Sequence, residues 1–346
     1  MEAAWLLLRV LAWLWFSAML LRLGAAAEVV AVDGRRAVAA TGEDFVCATL
    51  DWWPPEKCDY GTCAWGRASL LNLDLSNKVL LNAVRAFAPL TLRLGGSLQD
   101  KGCLPMRRWD ELNDFFRKSG AKIVFGLNAL NGRVLLPDGS QGGPWDYTNA
   151  ASLIRYTINK GYRIQGWELG NELSGSGVGN RVAVDQYAAD VVALKSLIDR
   201  IYEGNPSKPL VIAPGGFFDT GWYTELIAKT KPNLLNMITH IYNLGPGVDT
   251  HLVEKILNPS YLDGMASTFS NLQGILNSAG TSTVAWVGEA GGAYNCGHHL
   301  VTDSFVLSFW NVKKFFSPAT VLEDDVSLMG LVIFKVFGSA WDVSKV

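Results

Sequence analysis

The chain has 346 residues, of which 49% are hydrophobic, and its formal net charge at pH 7 is −2. A chain of this length can bury a sizeable core and corresponds to about one or two domains. Because the charges are nearly balanced and no basic tract or clustered Lys/Arg face occurs, the composition argues against nucleic acid as a partner.

The first predicted element is a secretory signal peptide at residues 1–27. Arg9 precedes an apolar run over residues 10–21, and residues 24–27 supply small side chains for cleavage. The apolar run is too short for a confident membrane span, which needs roughly 20 residues, and an uncleaved signal anchor is the alternative. We therefore expect a secreted, extracellular protein whose mature chain begins near Glu28. A lysosomal or vacuolar location and peripheral association with a membrane are further alternatives.

The five cysteines require an explanation that fits an oxidising compartment. Cys58 and Cys63 have turn residues between them, which predicts a small local disulfide. Cys47, Cys103 and Cys296 remain, and the odd total implies at least one free or intermolecular thiol. No Cys-x-x-Cys or His-x-x-x-His spacing accompanies them, so neither a metal site nor a cofactor is expected.

From residue 45 onward, short apolar runs alternate with longer amphipathic stretches. The predicted strands cover residues 45–52, 90–94, 122–127, 164–169, 210–213, 237–242 and 283–287. The predicted helices cover residues 69–88, 108–119, 145–160, 184–202, 218–228, 261–277 and 302–310. Repeated strand-then-helix order implies parallel strands with crossover helices, and this spacing predicts an α/β fold of the (β/α)8 TIM barrel type. No GxGxxG motif follows the first strand, which disfavours a nucleotide-binding sheet.

The pattern weakens where an eighth unit is needed. Residues 323–325 form a charged break, and residues 328–337 are the one apolar run able to supply a last strand. Without that strand, the first and seventh strands would keep unpaired backbone groups. We expect a barrel that is incomplete at its C-terminal end, with a tail that docks loosely or not at all.

Two glutamates are the candidates for catalysis. Glu172 follows the fourth predicted strand and Glu289 follows the seventh, at the strand ends where an α/β barrel keeps its chemistry. Two such carboxylates are the minimal equipment for glycoside hydrolysis: one protonates the leaving oxygen while the other, ionised, attacks the anomeric carbon. Asn171 can hold a sugar hydroxyl beside Glu172. Glu168 is a local competitor, but it lies inside the strand run, where we expect it to face the barrel wall or form a salt bridge.

Four motifs, in order, resemble those of the heparanase-like glycoside hydrolases of family 79, especially the plant branch. They are residues 92–97 (Leu-Arg-Leu-Gly-Gly-Ser), 167–173 (Trp-Glu-Leu-Gly-Asn-Glu-Leu), 240–245 (His-Ile-Tyr-Asn-Leu-Gly) and 287–294 (Val-Gly-Glu-Ala-Gly-Gly-Ala-Tyr). The resemblance covers residues 28–310. It implies a retaining β-glucuronidase, endo- or exo-acting, whose substrate is a polysaccharide or glycoconjugate that carries β-glucuronic acid.

The resemblance also implies roles for individual residues. Glu172 is expected to be the proton donor and Glu289 the nucleophile. Asp51 and Asn171 are expected to hold hydroxyls of the cleaved sugar, and Ser97 is expected to contact the same sugar.

Two further residues receive a role in the same way. Tyr242 is expected to face the nucleophile. Tyr294 opens a loop, residues 294–296, where family members offer backbone N–H groups to a uronic carboxylate. The family's loop is richer in glycine, so this chain departs from the pattern there.

A second departure concerns domain organisation. Family members continue past the barrel into a β-sandwich that also takes in an N-terminal strand segment. For this chain, the expected parts are the signal peptide, a strand segment at residues 28–44, a catalytic barrel at 45–310 and a divergent tail at 311–346. A truncated or alternative form that lacks most of the sandwich is therefore expected. The alternatives to an active β-glucuronidase are a catalytically impaired carbohydrate-binding product and a related hydrolase for neutral sugars.

Overall fold

The computed structural model describes residue 35 and residues 46–52, 69–102, 104–230, 235–281, 283, 285–295, 297–312 and 330–331. The chain divides into two units, Met1–Val38 and Ala39–Val346, and the elements below belong to the second. The predicted signal peptide and the cysteines at positions 58, 63, 103 and 296 lie outside the described residues. Within the described ranges, no helix has the length and apolar character that crossing a membrane requires.

The strands of the described residues form one large sheet and two small ones. They are β1 (Val46–Asp51), β2 (Thr91–Gly95), β3 (Lys122–Leu127), β4 (Val134–Leu135), β5 (Gln141–Gly142), β6 (Gly166–Leu169), β7 (Leu210–Phe217), β8 (Asn236–Ile241), β9 (Gly245–Pro246), β10 (Ala285–Ala290), β11 (Ala293–Tyr294) and β12 (Gly330–Leu331). Eight of them pair in the order β10-β8-β7-β6-β3-β2-β1-β12, always in parallel. Each of the first seven strands in this sheet lies beside its sequence neighbour. This order confirms the predicted barrel class.

Helices connect successive strands of the large sheet. They are α1 (Lys78–Ala86), α2 (Met106–Ser119), α3 (Thr148–Asn159), α4 (Val184–Ile201), α5 (Thr220–Lys229), α6 (Leu252–Ile256) and α7 (Pro259–Ser278). Residues 307–312 are also helical.

The first helix differs from its prediction. A helix was expected over residues 69–88, but α1 begins only at Lys78. The Asn77 side chain accepts hydrogen bonds from the backbone N–H groups of Val79 and Leu80 and thereby caps the helix. Residues 69–76 form turns instead, because the Ser69 hydroxyl accepts the N–H of residue 71 at 3.1 Å.

Strands β7 and β10 both run further than predicted and both contain a bulge. β7 was expected to end at residue 213 but continues through Phe217, with a register shift between Pro214 and Gly216. β10 continues through Ala290, with a register shift between Val287 and Glu289. A bulge bends the strand and redirects the side chains beyond it. Glu289 therefore lies within the end of its strand rather than in the following loop.

Apolar packing fills the barrel and joins it to the helices. A small cluster of buried residues comes from five different strands: Cys47, Val124, Ile212, Ile238 and Trp286. The larger cluster lies where the strands meet the helices, and it holds Trp109 against Phe125, with ring centroids 4.8 Å apart. Buried side chains of this size contribute most of the favourable free energy of folding.

The end of the chain contributes to the sheet. Within the apolar run at residues 328–337, Gly330 pairs with Val46 and Leu331 pairs with Cys47, in parallel. β12 therefore occupies the free side of β1, where the sequence placed an eighth strand. The other residues of that run lie outside the described residues, and the loose docking of the tail stays a prediction.

Candidate active site

The C-terminal ends of parallel strands meet at one rim of the barrel, and the backbone there is specialised around Glu172. Glu172 has φ of +56°, a left-handed conformation that costs a non-glycine residue about 1–3 kcal/mol. Two backbone hydrogen bonds hold it: the Glu172 N–H donates to the Gly215 carbonyl at 2.7 Å, and the Val178 N–H donates to the Glu172 carbonyl at 3.0 Å. The loop after β6 therefore presents Glu172 in a fixed position.

The bulge in β7 makes this position possible. A Cβ atom added to Gly216 would lie 3.2 Å from the Cα atom of Glu172 and 2.5 Å from the Ser174 hydroxyl oxygen. Only glycine leaves room for so close an approach of the two backbones. The end of β7 thus packs directly against the backbone of Glu172, the candidate acid.

Glu289 is buried and both of its carboxylate oxygens accept hydrogen bonds. Arg93 Nη1 donates to Oε1 at 2.7 Å, and the Tyr242 hydroxyl donates to Oε2 at 2.8 Å. Burial opposes ionisation, but His240, the Arg93 guanidinium and the Tyr242 hydrogen bond outweigh it. Together they lower the pKa of Glu289 well below its ordinary value of 4.5. Burial and the charge on Glu289 also raise the pKa of Tyr242 far above 10, which keeps this hydroxyl protonated and donating.

Arg93 joins Glu289 to the end of β6. Its guanidinium binds Glu168 in a bidentate manner, with Nε 2.6 Å from Oε2 and Nη2 2.9 Å from Oε1. Nη2 also donates to Asn171 Oδ1 at 2.9 Å. Glu168 is fully buried and, as expected, forms a salt bridge rather than reaching the cleft. Burial disfavours the charge on Arg93, but the two glutamates outweigh it and raise the pKa of Arg93, so this buried group stays cationic.

Glu172 has a different partner. His240 Nδ1 lies 3.1 Å from Glu172 Oε1, and His240 Nε2 has no hydrogen-bond partner among the described residues. A proton on Nδ1 allows this nitrogen to donate a hydrogen bond to the Glu172 carboxylate. Nδ1–H then donates to Oε1, which leaves Oε2 of Glu172 as the oxygen able to carry a transferable proton.

The two carboxylates are close to each other. One carboxylate oxygen of Glu172, one of Glu289 and one ring nitrogen of His240 all lie within 4.8 Å of one another. In retaining glycosidases the two carboxyl groups are about 5–5.5 Å apart, whereas inverting enzymes separate them by about 6.5–9.5 Å to admit a water. These oxygen atoms are close enough for the shorter separation of a retaining pair.

The same three side chains could in principle bind a metal ion. Arg93 Nη1, however, is already 2.7 Å from Glu289, and a metal cation at this place would face a buried like charge. The donor set therefore fits an acid and a nucleophile better than a metal centre.

Asp51 belongs to the same polar centre, whereas Ser97 faces solvent. Asp51 ends β1 and packs against Gly96, where an added Cβ would lie 2.8 Å from the Asp51 Cγ. Gly96 also has φ of +95°, so both the lack of space and the backbone conformation require glycine at this position. The charge of Asp51 acts on Arg93 and on Tyr242. Ser97 is exposed just after Gly96, on the rim.

Tyr294 lies in β11, in the segment that follows Glu289. β11 pairs with β9, so that Ala293 is opposite Gly245 and Tyr294 is opposite Pro246. This pairing joins the loop after β8 to the loop after β10. Tyr294 is 38% exposed, and within the described residues it makes no hydrogen bond to Glu172 or Glu289.

Sequence reasoning assigned no role to three residues that organise the site. Arg93 and His240 lie within the quoted motifs, and a charged residue inside an apolar strand run was a usable signal for Arg93. Asp100 gave no comparable signal. Its buried carboxylate accepts the N–H of Ala129 at 2.7 Å and the N–H of Asn171 at 2.8 Å, and burial raises its pKa to about 7. Asp100 thus fixes the loop that carries the candidate acid.

Comparison with known proteins agrees with this geometry. Residues 27–101 and 100–315 match a family model described as glycosyl hydrolase family 79, N-terminal domain. Heparanase-like protein 3 of Arabidopsis thaliana is 54% identical over 312 residues, which cover 82% of this chain and 58% of that protein. Baicalin-beta-D-glucuronidase of Scutellaria baicalensis is 43% identical over 314 residues, which cover 79% of this chain and 59% of that protein. The chain therefore spans less than two thirds of the length of these relatives.

One solved structure shares the fold at low sequence identity. The GH51 arabinofuranosidase from Xanthomonas axonopodis pv. citri gives a TM-score of 0.54 at 14% identity, covering 85% of this chain and 69% of that one. The likeness extends to the barrel architecture.

Proposed function

The chain belongs to glycosyl hydrolase family 79, and from that premise we propose that it is a retaining hydrolase of β-glucuronide linkages. The observation that carries the proposal is that a carboxylate oxygen of Glu172 lies within 4.8 Å of one of Glu289, at the ends of two different strands. The names of the relatives, which include a baicalin-beta-D-glucuronidase, support a glucuronide as the substrate. The substrate we propose is a polysaccharide or glycoconjugate that carries β-glucuronic acid.

The geometry supports a double-displacement mechanism. Arg93 and Tyr242 hold Glu289 ionised, so one of its oxygens can attack the anomeric carbon and form a covalent glycosyl-enzyme. Glu172 donates its proton from Oε2 to the departing glycosidic oxygen. In the second step Glu172 takes a proton from water while the water oxygen bonds to the anomeric carbon, and the bond from that carbon to Glu289 breaks to restore the free carboxylate. Two inversions at the anomeric carbon give net retention.

The polar groups around the carboxylates support sugar recognition. Asp51 and Asn171 lie beside Arg93, at the edge of the same centre, and can bind hydroxyls of the cleaved sugar. Recognition of the uronic carboxylate is assigned to the loop that begins with Tyr294. That loop is less glycine-rich than is typical of the family, so a neutral sugar is the competing specificity.

The test is a panel of aryl β-glycosides. The glucuronide is expected to be hydrolysed faster than the glucoside and the galactoside, with the β anomer released first by NMR. Preferential cleavage of a neutral glycoside would refute the glucuronide specificity, and early release of the α anomer would refute retention. Binding of glucuronate without turnover of any glycoside would favour the impaired, carbohydrate-binding alternative.

Variants separate the two carboxylate roles. Glu289→Gln should abolish formation of the glycosyl-enzyme. Glu172→Gln should slow substrates with poor leaving groups most, since those need protonation. A variant of either residue that kept the wild-type rate on a natural glycoside would show that its role is misassigned.

We also propose that the protein is secreted, because residues 1–27 have the pattern of a cleaved signal peptide. N-terminal sequencing of the secreted protein should then begin near Glu28. Recovery of an intact Met1 in a membrane pellet would favour a signal anchor. Localisation to lysosomes or vacuoles would replace the extracellular setting.

A further inference from the structure

Phe217 is an exposed aromatic ring on the rim of the site. It ends β7 and is 37% exposed, although its neighbours are catalytic candidates and their partners. Its ring centroid lies 6.5 Å from that of His240, at 74°, and 6.1 Å from that of Tyr242, at 53°. His240 contacts Glu172 and Tyr242 contacts Glu289. Phe217 thus packs beside the partners of both carboxylates while keeping more than a third of its surface in solvent.

The position of Phe217 in the barrel identifies the part of the substrate that it meets. β7 lies between β8 and β6 in the sheet, and the loop after β6 carries Glu172. The Phe217 carbonyl accepts the Ser174 hydroxyl at 3.0 Å, and the preceding Gly216 packs on the backbone of Glu172. The acid must reach the glycosidic oxygen, so the group attached to that oxygen lies on the side of Glu172. Phe217 is therefore next to the leaving group.

The opposite side of the site is built differently. Asp51 and Gly96 belong to β1 and to the end of β2, which lie on the far side of β6 and β3 in the sheet order. Asp51 brings a carboxylate to that side, where the hydroxyls of the bound sugar require polar partners. The site therefore has a polar side for the sugar and a less polar side for the leaving group.

The surface around Phe217 carries little charge. Residues 173–180 contain no ionisable side chain, and residues 210–222 contain one, Asp219, which is acidic. Val178, on the first of these segments, is 49% exposed. The first basic residue after Glu172 is Arg181, and it pairs with Asp138 at 3.4 Å. A sulfated or uronic sugar would find no complementary cation on these segments.

We propose that Phe217 forms the leaving-group subsite and selects an uncharged aromatic aglycone, so that the substrate class is an aryl glycoside. This inference rests on the proposed hydrolase function and deepens it. A flat aglycone can stack on or against the edge of the Phe217 ring, which places the glycosidic oxygen near Glu172. Six tryptophans of the described residues are buried in the core and do not offer such a ring: Trp52, Trp109, Trp145, Trp167, Trp286 and Trp310.

The experiment compares two leaving groups on one sugar. Wild type, Phe217→Ala and Phe217→Tyr are assayed on phenyl and on methyl β-glucuronide, and each result is the ratio of variant to wild-type kcat/KM, which cancels intrinsic reactivity. Phe217→Ala should lose about tenfold on the phenyl substrate and less than twofold on the methyl substrate. Phe217→Tyr keeps the ring and should retain both activities.

Phe87→Ala is the matched control. Phe87 is 46% exposed and lies before β2, at the opposite end of the barrel from the site, so neither ratio should change. Equal losses of Phe217→Ala on both substrates, or no loss on either, would overturn the inference.

Two further arms separate this inference from the proposed function. If glucuronides are not cleaved but phenyl β-glucoside is, the proposed sugar specificity fails and the phenyl and methyl glucosides decide the role of Phe217. If no glycoside is turned over, calorimetric binding of phenyl and methyl 1-thio-β-glucuronide decides it. Weaker binding of the phenyl compound alone by Phe217→Ala supports the inference, whereas no binding, or equal binding by both proteins, refutes it.

Discussion

Replacing Tyr242 with Phe tests how the site keeps its nucleophile ionised. The Tyr242 hydroxyl donates to Glu289 Oε2 at 2.8 Å, and the change removes this one hydrogen bond while keeping the ring that packs against Phe217. Arg93 continues to bind the other oxygen of Glu289. The perturbation therefore acts on the charge of Glu289 with little change in shape.

The size of the effect follows from the hydrogen bond that is lost. A hydrogen bond to a charged group contributes about 1.5–3 kcal/mol, and one pKa unit corresponds to about 1.4 kcal/mol. The pKa of Glu289 should therefore rise by about 1–2 units in Tyr242→Phe. Because Glu289 must be ionised to attack, the acidic limb of the kcat/KM profile should move to higher pH by about the same amount.

The change in the pKa of Glu289 also predicts how the stability of the variant depends on pH. The pKa of Glu289 is depressed in the folded protein, so the ionised group stabilises the fold above the unfolded pKa, and this stabilisation is lost as the pH falls through the folded pKa. The variant has a less depressed pKa. It should therefore lose stability at pH 7 relative to wild type, and this difference should vanish in acid.

The assay is the pH dependence of kcat/KM on an aryl β-glucuronide, with thermal unfolding measured in the same buffers. Tyr156→Phe is the matched control, because its hydroxyl also donates to a carboxylate, that of Asp110, at 2.9 Å, but on the outer surface of α3. An unshifted acidic limb in folded Tyr242→Phe, or an equal shift in the control, would refute the reasoning.

Three other changes probe the scaffold. Arg93→Met leaves Glu168 buried without its cation and should lower the free energy of unfolding by about 3–5 kcal/mol. Arg107→Met removes an exposed ion pair and should have little effect, and equal losses of the two variants in denaturant would contradict this. Burial raises the pKa of Asp100 from 3.8 to about 7, so its contribution to stability declines as the pH rises from about 4 to 7. This decline should be absent in Asp100→Asn, and an unchanged dependence of the unfolding free energy on pH would contradict the prediction. Asn77→Ala removes the cap of α1 and should lower the free energy of unfolding by about 1 kcal/mol without changing kcat. A fall in kcat would show that α1 is coupled to the site.

Several features of the fold could be predicted because they depend on the local sequence pattern. β3 has the predicted bounds, residues 122–127, because its apolar run stops abruptly at a polar residue on either side. Helix starts set by side-chain caps were harder to place. Asn77 and Asp219 cap α1 and α5, and each lies inside or beside a run whose apolar spacing continues past it. Periodicity reports which face is apolar, whereas the cap decides where the hydrogen-bonded ladder begins.

The ends of β7 and β10 show a second limit. Pro214, Gly215 and Gly216 look like a turn in sequence, yet β7 passes through them as a bulge because its neighbours supply the pairing. The same effect keeps Glu289 inside β10. Pairing across a sheet is a property of two segments, so one segment alone does not reveal it.

The sequence by itself determined the barrel class, the family motifs and the two strand-end glutamates, since each depends on neighbouring residues. Only the tertiary structure decided what surrounds those glutamates. Arg93 reaches Glu168 across 75 residues and Glu289 across 196, and Phe217 reaches the rim only because the bulge in β7 packs on Glu172. Charge pairing and burial depend on distance in space, and the parallel sheet brings together residues that the chain keeps far apart.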